Sequence, residues 1–397
     1  DGIDREKLDF IYEKSKSGSS FYGILEVASN EVTIITAIHA IKSNSGANTA
    51  GVDRRKMDRY LQMDRNKLIS LVQSAFQNYQ PKPARRVYIQ KSNGKQRPLG
   101  IPTVLDRIVQ ECLRIVLEPL VEAKFFPNSY GFRPYRSVHD AVHMVFHYAN
   151  LRANRKSWFV IEGDIKGFFD HINHRILLKK LWHIGVRDKR VLAMIKAMLK
   201  AGYMEQNTFF KSAEGTPQGG ILSPLANVYL TAFDWTVGRM YQHPRQQTAY
   251  ICSDRARLLY QGVIPKYLVR YADDWVILTN SEQEAHRFLH WLQKYFTHRL
   301  KIELSEEKTV ITDMRQAPVN FLGFSFKVRQ TAYQPDKPRR EIAMSYPNPQ
   351  KLQKAMRKQK IHPPRTGAFG FLQIGDQQPP HGILFVLFEP TKKQRIE

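Results

Sequence analysis

A chain of 397 residues is longer than one compact core usually holds, so two or three domains are expected. Its 42% hydrophobic content excludes a disordered chain. Sixty-one Lys and Arg against 36 Asp and Glu leave a formal charge of +25, a surplus that attracts polyanions and is the electrostatic footprint of nucleic-acid binding.

The two cysteines, Cys112 and Cys252, cannot build a disulfide framework or a four-cysteine zinc site. Both are expected as small buried apolar groups in a reducing compartment. No apolar run reaches the roughly 18 residues that span a bilayer. Asp1 to Ser20 alternates charges and lacks the apolar core of a signal peptide. The reading is a soluble, intracellular (cytoplasmic) protein without a membrane partner.

In chain order, residues 1–50 read as helical and then turn-rich, ending in the polar loop Lys42 to Gly51. A basic amphipathic stretch follows, and a second helical pattern ends between Gln77 and Pro83. Arg85 to Ile89 alternates as a short strand, and Asn93-Gly94 marks a hairpin turn into Arg97-Pro98-Leu99-Gly100-Ile101-Pro102. Val104 to about Ala123 has the period of a long helix. Trp158 to Asp164 is a buried strand that ends in an acid. Helical periodicity is expected from Asp170 to Trp182 and from Ile221 to Phe233. Tyr267 to Thr279 is two apolar runs around Ala272-Asp273-Asp274, a hairpin pattern. Glu282 to His298 is helical, and Val319 to Lys327 is a Phe-rich strand pair. Strands and helices alternate without a uniform βαβ rhythm, so the expected class is α+β with an antiparallel sheet. After Arg329 the chain turns basic, and Pro363 to Glu397 is Gly- and Pro-rich with one apolar run.

Carboxylates flanked by apolar strands are costly unless solvated or bound to a metal. Neighbouring strand residues point to opposite faces, so Asp273 and Asp274 should not be equivalent. Asp273 is expected to point into a site with Asp164, and Asp274 to flank it. Three such acids make a hard-oxygen site suited to Mg²⁺. Taken alone, the Asp-Asp pair also reads as an exposed turn. His171 and His174 are expected as helix-start structure and not as metal ligands.

Tyr271-Ala272-Asp273-Asp274 resembles the Tyr-x-Asp-Asp box of reverse transcriptases. Asp164-Ile165-Lys166-Gly167-Phe168-Phe169-Asp170-His171-Ile172-Asn173-His174 and Gly215-Thr216-Pro217-Gln218-Gly219-Gly220-Ile221-Leu222-Ser223-Pro224-Leu225 resemble successive blocks of the group II intron members. Arg97 to Pro102, Ser129 to Pro134, Leu304 to Thr309 and Phe321 to Phe324 are similar to the remaining blocks, in order. The match covers about residues 50–330, and the ordered set is far more specific than any one block.

The resemblance implies an RNA-dependent DNA polymerase with a right-hand shape: helical and β fingers, an antiparallel-sheet palm and a partial thumb. It implies metal binding by Asp164, Ile165, Asp273 and Asp274, with two Mg²⁺ ions (or Mn²⁺ in their place) and the three acids catalytic. Lys91 and Arg97 would hold the triphosphate, Gln218 the nucleotide near its sugar, and Phe169 would exclude a 2′-hydroxyl. Lys308 would protonate or neutralise pyrophosphate. Tyr130, Arg133 and Arg270 are candidate nucleic-acid contacts. Expected partners are an RNA template, a DNA primer, deoxynucleoside triphosphates and a structured intron RNA.

The expected divisions are an N-terminal extension and fingers over 1–98, and a palm over 99–330 with fingers segments near 125–158 and 180–212. A thumb would start over 331–362, followed by an irregular tail over 363–397. Too little sequence follows Phe326 for a full thumb or maturase region, and no His- and Cys-rich endonuclease is visible. Two other readings stay open. One is a retron, diversity-generating or CRISPR-linked reverse transcriptase. The other is an RNA-binding maturase remnant without polymerase activity.

Overall fold

The computed structural model describes residues 5–44, 46–90, 94, 96–151, 156–212, 214–215, 222–243, 252–331 and 340–348. The first five helices are α1 (Arg5–Lys16), α2 (Ile24–Ala28), α3 (Glu31–Lys42), α4 (Met57–Leu61) and α5 (Arg65–Gln77). They gather around α6 (Val104–Glu122), the long helix expected there. The Thr103 hydroxyl accepts from the Asp106 N–H and so starts α6 sharply. Its inner face, from Val104 to Val121, is buried almost without a break. Cys112 lies in that face with no exposure, as expected of a small apolar residue.

Before α6, β1 (Ala84–Gln90) and β2 (Gln96–Ile101) form the expected antiparallel hairpin, with Gln90 opposite Gln96. Two short strands, β4 (Tyr203–Glu205) and β5 (Thr208–Phe210), extend it to a sheet of order β2-β1-β4-β5. The β1–β4 pairing is parallel. Arg86 lies flat on the Tyr203 ring, 3.4 Å from its centroid, and adds a cation–π contact across that pairing.

The second sheet carries the acids. Its order is β6-β7-β3-β8, all antiparallel: β3 (Phe159–Asp164), β6 (Tyr267–Tyr271), β7 (Asp274–Thr279) and β8 (Val310–Asp313). Helices α7 (Val138–Ala149), α10 (Leu222–Gly238) and α12 (Glu282–Tyr295) pack on it. Trp275 to Thr279 are all buried, which means both faces of β7 are covered. Only its first residue, Asp274, is exposed. The sheet therefore emerges into solvent at the end that bears the acids.

A third sheet, β11-β10-β9, follows: β9 (Val319–Phe321), β10 (Phe324–Gln330) and β11 (Glu341–Pro347). The Asn150 side chain ties β11 to the end of α7 through two bonds of 2.9 Å to the Ala343 main chain. The remaining helices are α8 (His174–His183), α9 (Lys189–Lys200) and α11 (Cys252–Tyr260). The architecture is α+β, as the sequence implies.

One boundary differs from the expectation. Periodicity suggests a helix from Asp170, but Phe168–Asp170 is a single 3₁₀ turn and α8 begins only at His174. Gly167, at φ +53°, reverses the chain after β3, and the Asn173 side chain caps α8 by accepting from the Ile176 N–H. His174 is buried, and its Nε2 donates to the Gly215 carbonyl at 2.7 Å. His171 stays exposed beside Glu214. His174 is the first residue of α8, and His171 lies in the turn before it.

Candidate active site

The acids meet where β3, β6 and β7 end. Asp164 closes β3, Asp274 opens β7, and the two are register partners. Directly opposed residues of an antiparallel pair share a face of the sheet. Asp273 lies in the two-residue turn that joins β6 to β7, where Tyr271 faces Asp274. The sequence leads one to expect Asp273 as the partner of Asp164 and Asp274 as a flank. The register puts Asp274 directly across from Asp164, with Asp273 in the adjoining turn.

One residue back, Gly163 pairs with Trp275. That pair lies on the other face of the sheet. A Cβ on Gly163 would fall 2.1 Å from the Trp275 ring, so glycine is what lets the indole lie over β3. The ring is 1% exposed and stacks on Phe296, with centroids 6.1 Å apart. The face behind the acids is thereby closed with aromatic core.

The turn is held from beneath. Arg270, wholly buried in β6, donates through Nε and Nη2 to the two oxygens of Asp234 at 2.7 and 2.6 Å. Its Nη1 donates to the Asn227 side-chain oxygen at 3.0 Å and to the Ala272 carbonyl at 2.7 Å. Ala272 takes φ +57°, a left-handed conformation that costs a non-glycine residue energy and persists only where neighbours fix it. The Asn227 amide also donates to the Gly131 carbonyl at 2.6 Å. Gly131 presses on the turn so closely that a Cβ there would stand 2.4 Å from the Ala272 nitrogen. The segment before Gly131 pairs with β6 as a short parallel strand: Arg270 N donates to Asn128 O, and Tyr130 N to Arg270 O, both at 2.9 Å.

These contacts correct three expectations. Arg270 does not reach nucleic acid, because its guanidinium is spent inside the protein. Arg133 is 8% exposed and forks onto Glu122, with Nη1 on the carbonyls of Phe126 and Ser129. Tyr130 is 4% exposed, and its hydroxyl turns to Asn128. Neither side chain offers a template an open face. Asn227 and Asp234 escape a reading of the sequence, yet they carry a signal. With Thr231 between them, they are polar residues two turns apart in the mostly apolar run Leu225 to Trp235.

Lys308 comes to the acids along a separate path. Lys166 N donates to Glu303 O and Ser305 N to Asp164 O, which zips residues 303–305 against the end of β3 with Ile165 opposite Leu304. A turn from Ser305 then brings Lys308 Nζ to 2.8 Å from Asp164 Oδ2. The bond to Asp164 raises the Lys308 pKa above its ordinary value, and the charges of Asp164, Asp274 and Asp273 add to it. The ammonium therefore samples the field of all three acids.

The other expected residues are placed unevenly. Phe169 is 7% exposed and meets the half-exposed Phe132 edge-on, at 6.1 Å between centroids. Phe168, beside it, is core. Arg97 lies on β2 opposite Ile89, but its side chain is outside the described residues. Lys91, Gln218 and Cys252's side chain are also outside them. Gly215, three residues before Gln218 in the sequence, is anchored to Ile172 O through its N–H at 2.9 Å.

Residues 89–326 match the family described as reverse transcriptase (RNA-dependent DNA polymerase). The chain belongs to that family. Its relatives include a group II intron-encoded protein. It is 36% identical to the group II intron-encoded protein LtrA of Lactococcus lactis subsp. cremoris over 338 residues, 74% of this chain and 55% of that one. It is 36% identical to protein YkfC of Escherichia coli (strain K12) over 317 residues, 73% of this chain and 79% of that one. A 91 kDa protein in the cob intron of Schizosaccharomyces pombe is 32% identical, across 74% of this chain and 40% of its own length. The chain thus spans about half the length of LtrA.

The family works with divalent metal ions, and the donor chemistry here fits them. Among the described residues, no three His, Cys, Asp or Glu side chains are gathered tightly enough to hold an ion unaided. Lys308 already places a positive charge on Asp164. No helix among the described residues is long and apolar enough to cross a membrane.

Proposed function

We propose that this chain extends a DNA primer on an RNA template, using deoxynucleoside triphosphates, in the manner of group II intron reverse transcriptases. The observation that carries the reading is the pairing of Asp164 with Asp274 at the open end of a covered sheet, with Asp273 in the adjoining turn. Asp164, Asp273, Asp274 and the Ile165 main chain would hold two Mg²⁺ ions. Bound there, the metal supplies polarisation of a 3′-hydroxyl and neutralisation of the departing pyrophosphate.

The chain's own residues do the rest. Lys308 keeps its proton at neutral pH and presents it beside Asp164, where a phosphate oxygen can accept it. Phe169 stands under the sugar and leaves no room for a 2′-hydroxyl. Lys91 and Arg97, which flank Asn93-Gly94 in the sequence, grip the triphosphate, and Gln218 approaches the sugar. In this reading the β6-β7-β3-β8 sheet with α10 and α12 is the palm. The β2-β1-β4-β5 sheet with its helices belongs to the fingers, and the thumb starts within 331–362. A structured intron RNA is the proposed further partner, attracted by the +25 charge.

The test is extension of a DNA primer on an RNA template with added Mg²⁺, comparing the parent with Asp273→Ala. The parent should extend and the variant should not. A folded, RNA-bound parent that extends nothing would instead support the remnant reading.

A further inference from the structure

Where α1, α6, α8 and α10 meet, the fold leaves a cavity of about 780 Å³. That volume is typical of a small-ligand site. Lys16, Lys124, Lys180, His183 and Arg239 line it, and no Asp or Glu does. These basic groups come from the C-terminal ends of four different helices, α1, α6, α8 and α10, so no single charged helix face accounts for them. Asp164, Asp273, Asp274 and Lys308 are not among the lining residues, and the cavity is distinct from the carboxylate site.

Lys180 is the informative member. A lysine on a solvated face keeps water around its ammonium. Lys180 is instead half-buried, with Nζ 5.6 Å from the centre of the Tyr229 ring. Burial pushes its pKa down to about 8, against an opposing pull from the Asp234 charge. Asp234 cannot serve as its counter-ion, because Arg270 occupies both carboxylate oxygens. No carboxylate pairs with Lys180 among the described residues. A charge kept in such a place costs stability, and that cost is characteristic of residues retained for binding. Trp235 adds a flat wall, fixed where its indole N–H donates to the Lys124 carbonyl at 2.9 Å.

We propose that this cavity is a second phosphate site, in which Lys180, Lys124 and Arg239 hold the phosphate of a nucleotide-sized ligand and Trp235 receives its base. The ligand is either a free nucleotide or one nucleotide unit of an RNA bound to the chain. Phosphate recognition by clustered cations and stacking on an indole are common to both. The proposal stands apart from the polymerase reading, since none of the polymerase residues takes part.

The experiment uses the full chain in buffer with EDTA, so that metal-dependent nucleotide binding at the carboxylates is silent. Binding of labelled AMP is measured by equilibrium dialysis, and binding of a short single-stranded RNA by fluorescence anisotropy. Parent, Lys180→Gln, Lys180→Arg and, at an exposed lysine at the end of α9, Lys200→Gln are compared, with thermal unfolding as the check on folding. Loss of one hydrogen bond to a charged group predicts at least about tenfold weaker binding in Lys180→Gln. Lys180→Arg should keep most of the affinity, and Lys200→Gln should match the parent. If AMP shows the tenfold loss, a free nucleotide fits the site. If only the RNA shows it, with a salt slope shallower by roughly one unit, the ligand is a unit of RNA. Equal binding of both probes by the parent and a folded Lys180→Gln, or no binding of either by the parent, overturns the proposal.

Discussion

Arg270 and Asp234 form a two-pronged ion pair with no exposure on either side chain, and the same guanidinium holds the carbonyl of Ala272 in the Asp-Asp turn. Removing one partner of a buried pair leaves an uncompensated charge, a loss of about 3–5 kcal/mol. Asp234→Asn should therefore lower the unfolding free energy by that order in urea titrations. It should also lower the extension rate under conditions where the variant is still folded, because the turn loses its anchor. A variant with unchanged stability would show that Arg270 finds another partner.

Gly131 and Gly163 separate turn geometry from core packing. Gly131→Ala drives a Cβ toward the Ala272 main chain, whereas Gly163→Ala drives one into the Trp275 ring. Overpacking of either kind costs about 1–3 kcal/mol. Gly163→Ala should change the near-ultraviolet circular dichroism that reports Trp275. Gly131→Ala should leave that signal intact yet reduce primer extension by about tenfold or more, since small misplacements at a reacting centre are that costly. Similar spectra and similar rates in the two variants would refute the distinction.

Lys308 touches Asp164 from a largely exposed position. Exposed ion pairs contribute little to folding, roughly 0–1 kcal/mol. Lys308→Gln should unfold close to the parent but extend primers more slowly, with the loss in kcat and not in KM for the nucleotide. A loss confined to KM would assign Lys308 to ground-state phosphate binding alone.

Lys180 sets a pH dependence whose sign can be worked out. Its folded pKa of about 8 lies below the ordinary lysine value. Between about 8 and about 10.4 the unfolded chain holds a proton that the folded chain has released. Stability from this residue therefore rises with pH through that window, and its full penalty is present below it. Lys180→Met should be the more stable protein at pH 7, by on the order of 3 kcal/mol at most, with the difference fading toward pH 10. Denaturant titrations of both proteins at pH 7, 8.5 and 10 check this, and a constant difference would count against it.

What could be read from the sequence was mostly local. The β6–β7 hairpin declares itself through two apolar runs around a polar pair, and α6 through Thr103 and its long apolar period. The three acids gain meaning from the blocks around them. Contacts remote along the chain were not legible. Arg270 beside two aspartates reads as a surface cation, because Asp234 lies 36 residues away and only tertiary packing brings it under the turn. Tyr130 and Arg133 look suited to nucleic acid although their partners Asn128 and Glu122 are near in sequence, because nothing in the pattern marks those residues as partners. Helix α7 was missed although Ser137 and Asp140 form a capping box, a local signal that was available. β8 is a four-residue strand whose existence depends on β3, supplied by distant sequence.

The short pairing of residues 128–130 with β6 has a consequence for the whole sheet. A strand at a sheet's margin normally bares a row of N–H and C=O groups to which a foreign strand can add. Here Asn128 and Tyr130 occupy that row beside Arg270, immediately before the turn that bears the acids. The margin is sealed where an added strand would do most harm. The seal also acts as a lever: Gly131, one residue on, rests against Ala272, so whatever displaces this segment moves the aspartate turn with it.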